Sequence, residues 1–329
     1  MQYRWLGRSG VRVSTICLGS VFLGSLVSAD DSARIVHAAL DHGVNFIDTA
    51  EIYQRPQYGI AEETVGKALV GRRHEVVLAT KKRYDPGAFR TGKPSDHNLS
   101  RHHIIRAVDE SLRRLQTDYI DLYYPHHVDP NTALDETLRA LDDVVRAGKV
   151  RSIGLSNYAS WQLVEALWIA QREHLAPVVC VQTLYNLLDR DVERELIPAC
   201  RRHDISIVPY SPLAGGVLTG KYRPGQPPPP DSRAATFAHN TTTGRSGHVP
   251  LLSDRNLVAA ERLTAVAPTV GLNPGHASLA WLLHQPTIAS VIVGPSNVNQ
   301  IIDNCAAADL VITPEQAKSI ANAIEGVGA

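Results

Sequence analysis

The chain has 329 residues, 44% of them hydrophobic and 20% charged, and its 33 Lys+Arg are balanced by 33 Asp+Glu. That length and composition suit a globular chain with a large core, and zero net charge gives no general attraction to nucleic acid or an anionic membrane surface. No run approaches the ~18 apolar residues of a membrane span, and Met1-Gln2-Tyr3-Arg4-Trp5 lacks a signal peptide's apolar stretch. Cys17, Cys180, Cys200 and Cys305 form no CxxC pair. They read as reduced core thiols of a cytoplasmic protein.

In chain order, Tyr3–Leu6 and Val11–Val13 around Arg8-Ser9-Gly10 predict a small hairpin. Strands are then predicted at 14–18, 45–48, 76–80, 119–123, 150–154, 178–182, 206–209 and 288–293. Several, such as Val178-Val179-Cys180-Val181, are continuous apolar runs, as parallel strands covered on both faces require. Helical patterns fall at 30–42, 100–115, 131–147, 160–173 and 191–202, then at 297–307 and 314–324. In the second of these, Ile104, Ile105, Val108, Leu112 and Leu115 share one stripe. Long loops rich in Pro, Gly, His and Ser are expected at 53–61, 82–100 and 222–250. The alternation predicts an α/β fold, a single (β/α)8 TIM barrel over residues 1–329, with long loops at its C-terminal face. A doubly wound sheet is disfavoured, because the stretch from Leu18 to Gly24 does not fit G-x-G-x-x-G.

Ionisable residues stand at successive strand ends. Asp48 closes the second strand, with Tyr53 five residues on; Lys81 closes the third; His126 follows the fourth. An ammonium about 4 Å from a phenol favours the phenolate by roughly 4 kcal/mol at an effective dielectric near 20, or about three pKa units. Lys81 is therefore expected to bring the Tyr53 acid down toward neutral pH. Asp48 would hold Lys81, and His126 would bond a substrate oxygen. Taken alone, Asp48 reads as a turn cap, Lys81 and Lys82 as solvated, and His126 and His127 as structural. Their joint placement is what points to chemistry.

The second half offers a binding arm. Ser156, Asn157 and Gln182 carry hydroxyl and amide groups at strand ends, and Tyr210 offers a flat face. Ser211-Pro212-Leu213-Ala214-Gly215-Gly216 permits close backbone approach to a phosphate. Gly294-Pro295-Ser296-Asn297 opens a helix whose N-terminus favours anions. Two such turns in the last two units match where barrels hold phosphates.

These segments resemble the aldo-keto reductase superfamily along essentially the whole chain: FIDTAEIY, LATK, DLYYPHHVD, IGLSNY, VQTLYNLLDR, PYSPLAGGVLTGKY and VGPSNVNQIIDN. The resemblance implies a catalytic tetrad of Asp48, Tyr53, Lys81 and His126. It implies nicotinamide contacts at Ser156, Asn157, Gln182 and Tyr210, and pyrophosphate contacts at Ser211, Leu213, Gly215 and Lys221. Ser296 and Gln300 would face the adenosine 2′-phosphate, with Asp303 and Asn304 near the adenine and Gly294 in the same turn. The GKY…P…DSR stretch looks closest to bacterial sugar- and glyceraldehyde-phosphate-type reductases and to potassium-channel β subunits, so Lys221 and Arg233 imply NADPH over NADH. The implied activity is metal-free hydride transfer to the carbonyl of a small aldehyde or ketone. The implied alternative is an NADP(H)-binding subunit that reports redox state. A metal-dependent hydrolase lacks its ligands, since the first strand has no H-x-H and no HExxH occurs.

Two departures stand out. Residues 54–59 follow Tyr53 with an insertion of about three residues relative to the family, so that Tyr58-Gly59 mimics the family's Tyr-Gly and is the alternative acid, and Pro125 precedes His126 where the family more often has Leu, Ile or Gln. The substrate pocket is expected from 21–26, with Phe22 and Leu23, from the 222–250 loop, and from the 82–100 loop, a basic stretch containing Arg83, Tyr84, Arg90, Lys93 and His97. That loop suits phosphorylated or nucleotide-linked sugars, or is simply solvated.

Overall fold

The computed structural model describes residues 1–53, 58–83, 98–230, 232–236, 242–243 and 249–325. Eight parallel strands close into a barrel. They are β1 (Ile16–Gly19), β2 (Phe46–Asp48), β3 (Val77–Lys82), β4 (Ile120–Pro125), β5 (Val150–Ser156), β6 (Val178–Leu184), β7 (Ser206–Tyr210) and β8 (Val291–Val293). The ring follows chain order and closes where Val293 pairs with Leu18 and Ile292 with Tyr210. Burial on both faces explains the unbroken apolar runs: all seven residues of β6 are buried.

Around the barrel run α1 (Ala29–Asp41), α2 (Ile60–Ala68), α3 (Arg101–Leu115), α4 (Leu134–Arg146), α5 (Ser160–Glu173) and α6 (Leu196–Arg202), then α7 (Asp254–Val266), α8 (Pro274–His284), α9 (Val298–Ala306) and α10 (Pro314–Ile324). Three of these, α2, α7 and α8, lie where no helix was predicted. α2 has nine residues and opens on Gly59 at φ 85, with no polar side-chain cap to announce it. α8 is buried without a break from Ala277 to Leu283, which erases the amphipathic period, although Asn273 caps it and Pro274 starts it. α4 begins three residues later than expected, because the Asp129 carboxylate accepts from the Asn131 amide and the Thr132 hydroxyl and bends that stretch into a turn. The predicted 191–202 helix is a 3₁₀ turn (Asp191–Glu193) followed by α6. The predicted 222–250 loop carries a short helix, Arg233–Thr236, and a pairing of Thr242–Thr243 with Val249–Pro250. Residues 84–97, with Tyr84, Arg90, Lys93 and His97, lie outside the described residues.

The hairpin pairs Tyr3 with Ser14 and Trp5 with Arg12. Its Leu6 and Val13 are buried in the inner cluster with Cys17, Phe46, Leu122, Tyr124, Cys180 and Val208. Gly154 makes room there, since a Cβ would fall 2.4 Å from the Tyr124 ring. All four cysteines are buried and free. Among the described residues no helix is long and apolar enough to cross a membrane.

Candidate active site

At the C-terminal end of the barrel, three strand ends and one turn bring four side chains together. The Lys81 Nζ donates to Asp48 Oδ2 at 2.5 Å, to the Thr49 carbonyl at 2.9 Å and to the Tyr53 hydroxyl at 2.9 Å. Lys81 and Asp48 are 0% and 1% exposed, so this ammonium has exchanged water for three protein oxygens. The Tyr53 and His126 rings stand edge to face, 6.0 Å between centroids.

Burial shapes the ionisation of the group. Desolvation works against the Lys81 charge, but Asp48 and Tyr53 outweigh it and hold the Lys81 pKa above its ordinary value. His126 goes the other way: burial, then the charge of Lys81, push it well below its ordinary value, so it is neutral at pH 7. Tyr53 corrects the expectation from Coulomb's law alone. Burial raises the phenol's pKa by more than Lys81 lowers it, and Asp48 adds to the rise, so the net shift is upward. Tyr53 therefore stands as a fully protonated acid rather than one poised near neutrality.

The insertion after Tyr53 does not draw that side chain away. Among the described residues on either side of the insertion, the Glu51 carbonyl accepts from the Gly59 amide at 2.7 Å. The Glu51 carboxylate pairs with Lys82 Nζ at 3.0 Å and accepts from the Arg83 amide at 3.3 Å. Lys82 is thus buried, not solvated, and this clamp escaped sequence reasoning because neither residue was distinguishable from a surface charge. Tyr58 lies elsewhere, 47% exposed, beside a cavity of about 160 Å³ lined by Arg106, Glu110 and Arg114. Pro125 leaves the ladder intact: it pairs with Lys82, and the His126 amide donates to the Lys82 carbonyl at 2.7 Å.

The residues expected on the binding arm fall into two groups. Beside the tetrad, Gln182 Nε2 donates to Asp48 Oδ1 at 2.8 Å, so the β6 amide fixes the carboxylate that fixes Lys81. Asn157, at φ 61, donates from Nδ2 to the His126 carbonyl and to Ser156 Oγ, both at 3.0 Å, and accepts from the Tyr210 hydroxyl at 2.9 Å. Ser156, Asn157 and Tyr210 therefore already form one bonded wall behind His126.

Farther round, Ser211, Ala214, Gly215 and Gly216 all have positive φ. The Lys221 side chain folds over this turn, since a Cβ on Gly216 would lie 2.7 Å from its Nζ. A Cβ on Gly215 would meet Leu251 at 3.0 Å and the Arg233 side chain at 3.5 Å. The Arg233 guanidinium lies 5.7 Å from the Phe22 ring, and a Cβ on Gly294 would touch that ring at 3.7 Å. Arg233 thus links the Gly215 turn to Phe22 and Gly294, while Lys221 covers the same turn at Gly216, with the half-buried Leu213 at its start. Ser296 bonds Gln300 through its amide (2.8 Å) and hydroxyl (3.1 Å), and Asn297 caps α9. Asp303 reaches back to His276 on α8 at 3.0 Å, while Asn304 is buried.

The aldo/keto reductase family model matches residues 15–325. An uncharacterized oxidoreductase of Bacillus subtilis is 35% identical over 100% of this chain and 97% of its own length. A probable voltage-gated potassium channel subunit beta of Oryza sativa is 38% identical over 96% of this chain and 94% of its own. The L-glyceraldehyde 3-phosphate reductase of Escherichia coli is 34% identical over 93% and 87%. The chain belongs to the aldo/keto reductase family, oxidoreductases that act on carbonyl compounds.

Proposed function

We propose that residues 1–329 form one catalytic domain that reduces a small aldehyde or ketone to its alcohol with NADPH. The observation that carries this reading is the Lys81 ammonium bonded at once to Asp48 and to the Tyr53 hydroxyl at the barrel mouth. NADPH, when bound, supplies the hydride. Its phosphates would suit the bare turn at Gly215 and Gly216, where the cationic side chains of Lys221 and Arg233 lie against the backbone.

Tyr53, held protonated by burial, gives its proton to the carbonyl oxygen. Lys81 stabilises the phenolate left behind, and Asp48, fixed by Gln182, keeps Lys81 charged. Neutral His126 donates a hydrogen bond that orients the same oxygen, and the Asn157–Tyr210 wall holds its backbone in place. Changing Tyr53 to Phe removes the acid and should cost at least about 10³-fold in turnover, with NADPH affinity unchanged. The check is NADPH oxidation with a panel of simple aldehydes, sugar phosphates that include glyceraldehyde 3-phosphate, and nucleotide keto-sugars. Turnover in the Tyr53→Phe chain equal to the parent's would end this reading.

The potassium-channel β subunits among the relatives favour a second reading, a cofactor-binding subunit that reports redox state. Stopped-flow oxidation of bound NADPH by an aldehyde separates the two. Single-turnover oxidation without steady-state turnover supports the sensor.

A further inference from the structure

α5 packs Leu163, Ala166, Ile169 and Ala170 against the barrel. Its opposite face is unusual for a barrel wall. Trp161 is 65% exposed, Val164 41% and Trp168 58%, at positions i, i+3 and i+7 of one stripe. Isolated exposed apolar residues need no explanation, but two of the chain's four tryptophans on one outward face do. Together they offer on the order of 300 Å² of aromatic surface, a large share of the ~800 Å² per partner that a specific interface buries.

The charges on this face identify the occupant. Glu165, exposed, forms no ion pair among the described residues. Arg172 lies seven residues on, two turns along the same face; its guanidinium donates to Glu173 Oε1 at 2.6 Å and is stacked 4.2 Å from the Trp168 ring centroid, which holds it on this face with donors left for a second carboxylate. A two-fold axis placed just after Trp168 would run two copies of α5 antiparallel. Each Glu165 would then meet the Arg172 of the other copy, and the two Trp168 rings would meet at the centre. The stripe is complementary to itself, as an isologous interface requires. Because α5 lies on the barrel wall, the mouth stays open.

We infer that α5 is the contact face of a homodimer, centred on Trp168 with reciprocal Glu165–Arg172 pairs. Sedimentation of the full chain across micromolar concentrations tests this. The parent should be a dimer, and Trp168→Glu should be a monomer with unaltered circular dichroism and melting temperature. Glu165→Arg and Arg172→Glu should each weaken the dimer at least about tenfold, and the double exchange should restore it to within about threefold. Trp5→Ala, which removes a 60% exposed tryptophan on the hairpin, should leave the dimer intact. A parent that is monomeric throughout, an assembly indifferent to Trp168→Glu, or a double exchange that fails to restore pairing each overturns the inference.

Discussion

The two arcs of the barrel mouth are built on opposite plans. Over β2–β4 the functional groups are side chains, buried and bonded to one another: Lys81 has three oxygen partners and Asp48 is held from two sides. Over β7 and β8 the backbone does the shaping, through positive φ at Ser211, Ala214, Gly215 and Gly216, while the cations Lys221 and Arg233 are exposed. A side-chain cluster ties chemistry to stability, because each member is the solvation shell of the next. A backbone cradle with exposed charges separates the two. Substitutions should therefore hurt activity and folding together on the first arc, and binding alone on the second.

Lys81→Met should show the largest effect. It strands the Asp48 carboxylate in a dry site with Gln182 as its partner, and the expected loss is about 3–5 kcal/mol of stability together with at least about 10³ in turnover. Urea unfolding and NADPH oxidation measured on the same sample read both. A Lys81→Met chain as stable as the parent would break the link between the two properties.

Next in size, Lys221→Ala and Arg233→Ala should each raise the KM for NADPH by about tenfold or more. The KM for NADH should rise too where the lost cation faces the pyrophosphate common to both cofactors, as expected for Lys221, while the unfolding midpoint should barely move. If either substitution lowers stability as Lys81→Met does, the second arc is no different from the first.

How far the sequence could be read follows the same division. The strand ends were legible because parallel strands demand apolar runs, and Asp48, Lys81 and His126 stood out as polar groups closing them. Tyr53 was placed by its spacing from Asp48, and the structure keeps its hydroxyl 2.9 Å from Lys81. Illegible were properties that depend on three-dimensional burial. The upward shift of Tyr53 needs the desolvation of its pocket, which pairwise charge arithmetic leaves out. The Glu51–Lys82 clamp needs the knowledge that both side chains are largely buried. α8 went unseen because a helix buried all round has no period to detect. On the second arc, Gly215 and Gly216 advertised a turn, but nothing in the chain order says that Arg233 and Gly294 share Phe22.

The smallest expected effect concerns His127, whose ring lies 5.0 Å from that of His126. Burial, then the charges of Arg83 and Lys81, lower its pKa from 6.5 to about 4. Between those values the unfolded chain binds a proton that the folded chain refuses. Stability from this site is therefore complete above about pH 6.5 and drains away as the pH falls toward 4. Allowing for partial exposure, the loss is on the order of 1–2 kcal/mol. His127→Asn keeps a polar side chain that cannot take the proton, so its urea midpoint should fall less than the parent's between pH 7 and pH 5. His126 shifts in the same direction and remains in the variant, so part of the acid limb should persist. Identical slopes for parent and His127→Asn would mean that the imidazole is already hydrated, and the dry, mutually bonded character of the first arc would then stop at His126.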